Sequence, residues 1–98
     1  MKQELTAESV RHHFNYDPDT GVLTRRVTVN GMAKAGHVCA TTDERGYKFT
    51  IFAGKRQYVH RLALLHVYGQ LPTRKVEHRN CQRGDNRLSN LVLGGKLK

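Results

Sequence analysis

A carboxylate, an imidazole and two carboxamides lie along one short stretch: Glu77-His78, then Asn86 and Asn90, in the spacing His78-x7-Asn86-x3-Asn90. An imidazole titrates near neutrality and can take a proton from water. A neighbouring carboxylate can hold a divalent cation, which neutralises charge on a phosphate and on the departing oxygen. In a strongly basic chain such a set points to a phosphodiester and a metal ion. On a regular strand adjacent side chains face opposite ways, so Glu77 and His78 converge only if the backbone bends or the main chain helps direct the metal. Asn90 could fix the imidazole, and Asn86 reads as a loop pin that bonds main-chain groups. The same residues also have an ordinary reading: a histidine at a strand edge, and Asp85-Asn86 as turn and capping chemistry.

Around this stretch the pattern predicts an α+β fold. Thr6 can cap a short helix over residues 7–14, with Val10 and Phe14 four apart on one buried stripe. Residues 15–21 (NYDPDTG) read as a tight turn and residues 22–28 as a strand; Asn30-Gly31 marks a further turn. Residues 32–46 form a connection with room for a short strand around 37–40. Tyr47, Phe49 and Ile51 alternate with Lys48 and Thr50, as in a half-buried strand, and residues 56–59 return as its hairpin partner after Ala53-Gly54-Lys55. Residues 60–68 (HRLALLHVY) predict a core helix ended by Gly69. An extended approach over 71–80 and a helical turn over 86–91 capped by Asp85 complete the frame. We expect one domain, with residues 1–75 as a sheet-and-helix part and 76–98 carrying the motif.

At 98 residues the chain can bury a modest core. Its net charge is +9, very unevenly spread. Residues 1–44 hold five Lys/Arg against six Asp/Glu; residues 45–98 hold twelve against two, Glu77 and Asp85, most of the twelve being arginine. Arginine matches phosphate geometry, so a polyanion is the expected partner in preference to a merely solvated basic face. Lys48, Lys55, Arg56, Arg61, Arg74, Lys75, Arg79, Arg83 and Arg87 are the candidate contacts to double-stranded DNA. No apolar run approaches a membrane span and the start has no signal-peptide character, so a cytoplasmic setting is expected. Two cysteines, Cys39 and Cys81, are too few for a disulfide scaffold and read as free thiols. A zinc site from His37, Cys39, His78 and Cys81 is a weaker alternative that would occupy the proposed base. His60 and His66 read as satisfied core histidines, a cap or a phosphate contact being the other roles open to His60. His12 and His13 read as an exposed pair.

Several blocks in order are similar to the phage-type HNH homing endonucleases: residues 14–24 (FNYDPDTGVLT), Arg45-Gly46-Tyr47, Val59-His60-Arg61-Leu62-Ala63, Val76-Glu77-His78-Arg79-Asn80, and residues 85–91 (DNRLSNL). Residues 47–69 also resemble small AP2-like DNA-binding modules. The resemblance implies a small antiparallel sheet on a core helix followed by a ββα-metal unit. It also implies DNA as partner, Mg²⁺ or a similar ion as cofactor, and a phage-encoded protein acting inside a bacterial host. By the same resemblance His78 matches the general base, Glu77 the metal-binding position, Asn90 the residue that orients the histidine, and Asn86 the loop asparagine.

Two departures shape the expectation. Glu77 stands where the family has aspartate. The family's second strand and ligand-bearing helix follow the Asn-Leu pair, whereas here Val92-Leu93 can extend a strand, Gly94-Gly95 interrupts it, and no Asp, Glu, Asn or His follows. The ββα unit is therefore expected to be partial, with cleavage weak or lost. An active metal-dependent nicking enzyme is the alternative, and an interaction protein that binds a host protein complex is the third reading.

Overall fold

The computed structural model describes residues 5–28 and 34–93. The Asn30-Gly31 turn and the Gly94–Lys98 tail lie outside the described residues. Helix α1 spans Ala7–His13; the Thr6 hydroxyl accepts from Ser9 N, and Ser9 Oγ accepts in return from Thr6 N, so both ends of a capping box are made. Val10 and Phe14 are fully buried, as the four-residue spacing predicts. The strand hairpin begins earlier than the pattern suggested: β1 (Phe14–Tyr16) pairs antiparallel with β2 (Leu23–Arg25), and the turn is confined to the residues between.

A second sheet follows, in the order β3-β4-β5, from β3 (Thr41–Thr42), β4 (Lys48–Phe52) and β5 (Lys55–Tyr58). Ala53 and Gly54 both take positive φ, 56° and 82°, which closes β4 and β5 with a two-residue turn whose twist suits a hairpin. Helix α2 (Val59–Tyr68) starts without a break after β5 and stops at Gly69, which is left-handed at φ 85°. A third sheet pairs β6 (Val76–His78) with β7 (Leu91–Leu93), His78 opposite Leu91, and a 3-10 turn, Leu88–Asn90, leads into β7.

The core joins these pieces. Phe14 and Phe52 meet edge to face at 5.3 Å, and Leu62, Ala63 and Leu65 of α2 lie nearly sealed from solvent. Burial on β4 is set by this packing and falls on the face opposite the aromatic set: Thr50 and Phe52 point inward, whereas Ile51 is 56% exposed. Phe52 must reach Phe14, and Thr50 receives a hydrogen bond (2.9 Å) from the buried Arg25 guanidinium, which also donates to the Ile51 carbonyl. The displaced apolar face is partly covered by Arg56, whose guanidinium lies 4.3 Å from the Phe49 ring centre. Among the described residues no helix is long and apolar enough to cross a membrane.

Candidate functional site

Strand β6 is regular, so its neighbours diverge as the two-residue period requires: Val76 and His78 are buried and Glu77 is exposed. His78 is nevertheless not sealed off. It lines a cavity of about 260 Å³ with Tyr47, Lys75, Glu77, Cys81 and Arg83, in which Glu77 is the one carboxylate. Two cations at the rim give this concavity the sign a phosphate needs.

The two carboxamides exchange the placements expected of them. Asn86, not Asn90, meets the imidazole, its Oδ1 2.9 Å from His78 Nε2. With Asn86 Oδ1 as acceptor, Nε2 carries the proton and Nδ1 keeps the lone pair, the form a base requires. Asn90 instead ties the loop: its Nδ2 donates to the Asp85 carbonyl and to Asn80 Oδ1, and its Oδ1 accepts from Asn80 N. The 3-10 turn over Leu88–Asn90 turns Asn90 inward to the 80–85 loop rather than towards β6. Asp85 is gripped by Arg87 through two guanidinium contacts of 2.8 and 2.7 Å, and Asn80 Nδ2 adds a third. These bonds hold the Asp85 carboxyl well below the usual carboxylate range.

The motif is braced from far along the chain. The Tyr16 hydroxyl donates to the Asn86 carbonyl at 2.5 Å, and Leu88 N donates to the Pro18 carbonyl at 3.0 Å. Gly21, at φ 78°, comes so close that a Cβ there would stand 2.3 Å from Arg87 N and 2.4 Å from the Asn86 carbonyl carbon. Burial pushes the Tyr16 phenol up to about 12, so it remains a donor across the ordinary pH range. Spacing gave no sign of this brace; the early NYDPDTG block is its only trace in the sequence.

A second cavity of about 180 Å³ adjoins the first and shares Tyr47, Lys75 and Val76 with it; Arg45, Tyr58, His60 and Arg61 complete its lining. The rings form one cluster: His60 and His78 are 5.2 Å apart edge to face, and Tyr47 is 5.4 Å from His60 and 6.0 Å from His78. Arg45 and Arg83 both lie over the Tyr47 ring. His60 is not the satisfied core histidine the sequence suggested, because its Nδ1 is buried without a hydrogen-bond partner. Burial, then the nearby His78 and Arg61, lower its pKa to about 4, so the ring is neutral at pH 7.

The other cations take varied positions. Lys55, Arg56 and Arg74 are exposed, Lys48 is half-buried with its chain end near Gly84, and Arg79 donates weakly to the Ser89 carbonyl. Arg83 donates to the Arg45 carbonyl, and Arg87 is committed to Asp85. The four-ligand zinc alternative is not assembled: no group of three His, Cys, Asp or Glu gathers among the described residues, and Cys39 is buried whereas Cys81 is exposed. His66 is satisfied through Nε2 on the Phe14 carbonyl, and His13 is half-buried against Phe52 rather than exposed. One carboxylate beside an imidazole does not make a cage. It does fit the habit of Mg²⁺, which keeps waters and is held by one or two carboxylates together with substrate phosphates.

Residues 57–97 match the HNH endonuclease family, and the fold resembles that of a solved HNH homing endonuclease. The first finding concerns the second part of the chain and the second concerns the fold. The solved structure is that of I-HmuI, described as showing DNA binding and cleavage by that enzyme. The likeness has a TM-score of 0.52 at 22% identity and covers 81% of this chain. This chain spans 44% of the length of that one. No curated protein matches the chain.

Proposed function

We propose that the chain binds double-stranded DNA across the concavity over His78 and cleaves a phosphodiester there only slowly, as a nuclease of the HNH type. One observation carries this reading. His78 borders a cation-rimmed cavity with its Nε2 held by Asn86, and among the described residues Glu77 is the carboxylate that stands beside it. Nδ1 takes a proton from a water poised against the phosphorus, and Asn86 steadies the imidazolium that results. Lys75 and Arg83 hold the phosphate oxygens. Glu77 is the residue that would hold a divalent ion with the substrate phosphate; when bound, such an ion stabilises charge on the departing oxygen. One carboxylate where an ion often has two supports slow chemistry.

The test is purified protein with supercoiled plasmid in Mg²⁺ or Mn²⁺. Slow nicking that disappears in His78→Ala, with the variant's melting curve still cooperative, supports the reading. Nicking that survives His78→Ala overturns the assignment of the base. Turnover at about one per second or faster, ordinary for enzymes, overturns the slow chemistry.

A further inference from the structure

We propose that the cavity beside His60, at the start of α2, seats a second backbone phosphate of the same DNA strand, next to the one over His78, with His60 as a positioning residue for it. The inference rests on the DNA-binding reading above and extends it to a second place on the molecule.

Four independent features converge there. Helix α2 has ten residues, its N-cap residue Tyr58 supplies no side-chain hydrogen bond, and its first turn holds no acid. The first N–H groups of a helix have no partner within it and carry the positive end of its dipole, which suits an anion. His60, in that first turn, is only 9% exposed and lines the cavity, and its Nδ1 has no partner. A buried polar atom without a bond is costly unless something completes the site. Arg45, Arg61 and Lys75 border the cavity, and among the described residues no carboxylate does. Asp43, which bonds Tyr58 of the lining, is already spent on its own loop: Oδ1 accepts from Arg45 N and Tyr47 N, and Oδ2 from the Tyr58 hydroxyl. Finally, Tyr47, Lys75 and Val76 line both cavities, so a strand lying over His78 runs directly into this one. Because His60 is neutral at pH 7, it adds a directed hydrogen bond rather than charge, while Arg61 supplies the attraction.

The experiment measures affinity for a short duplex DNA by fluorescence anisotropy over a range of KCl concentrations, with thermal melting in parallel. His60→Leu fills the site with an apolar side chain and is expected to bind DNA roughly tenfold more weakly while melting no lower than the wild type. The change Arg61→Gln leaves the core untouched and is expected to lower the salt slope by about one phosphate contact, a decrement near 0.9. Because both changes act on one phosphate, their combination should cost less than the product of the separate losses. A wild type that binds DNA in the usual salt-dependent way, with a folded His60→Leu of unchanged affinity, overturns the inference alone. If His60→Leu fails to fold, an Arg61→Gln variant with an unaltered slope does the same. A wild type with no salt-dependent DNA binding overturns both this inference and the reading beneath it.

Discussion

His78 and Asn86 form the pair on which the proposed chemistry turns, and the rest of the residue-scale picture concerns groups that burial has altered. His60 makes a stability prediction with a definite sign. Its folded pKa is about 4, against an ordinary value of 6.5. Between those values the unfolded chain takes up a proton that the folded chain refuses, so stability falls as pH drops from 6.5 towards 4 and levels off below. His66, also lowered chiefly by burial, adds in the same direction. Urea midpoints at pH 7 and pH 5 should therefore differ in the wild type, and by less in His60→Leu. Asp43 and Asp85 act in a lower window. Burial pulls the Asp43 carboxyl up, but the N–H groups of Tyr47 and Arg45 with the Tyr58 hydroxyl more than reverse it. The Arg87 contacts do the same for Asp85. Their stabilisation is present above 3.8 and is lost only as pH falls further.

Beyond the shared core, the most exacting contact between elements is the hairpin β1–β2 against the Asn86–Leu88 segment. Tyr16→Phe removes the donor to the buried Asn86 carbonyl and should cost about 1–3 kcal/mol in urea denaturation. Gly21→Ala should cost more. It imposes a positive φ on a residue with a Cβ and pushes that carbon into the Asn86–Arg87 peptide. Nicking should drop with it, since Asn86 then leaves His78. Local pattern made the β4–β5 hairpin and α2 with its Gly69 stop legible in the sequence, because turn chemistry and periodicity act over a few residues. It did not reveal which face of β4 is buried, since Phe52 is drawn inward by Phe14, 38 positions earlier in the chain. Nor did it separate Asn86 from Asn90. Both are short carboxamides near one histidine, and only the 3-10 turn decides which of them reaches it. The hydrogen bond from Tyr16 to Asn86 spans 70 positions, a distance at which spacing carries no information.

For the molecule as a whole, charge is the feature that acts at a distance. The excess of cations after residue 45 is expected to make DNA association fall steeply with salt, the logarithm of affinity losing about 0.9 per phosphate contact for each tenfold rise in concentration. Affinity that hardly changes between 50 and 200 mM KCl would contradict it. The close approach of Gly21 to the Asn86–Arg87 peptide has a last consequence. The region that carries the family likeness begins at residue 57, yet the phenol, proline carbonyl and glycine that grip its loop all lie before residue 22. A fragment cut at residue 57, or transplanted into a foreign scaffold, would bring the histidine and its asparagine without the clasp that keeps them facing. Such a graft should lose its pairing, and with it the proposed base, unless the first twenty-five residues travel too.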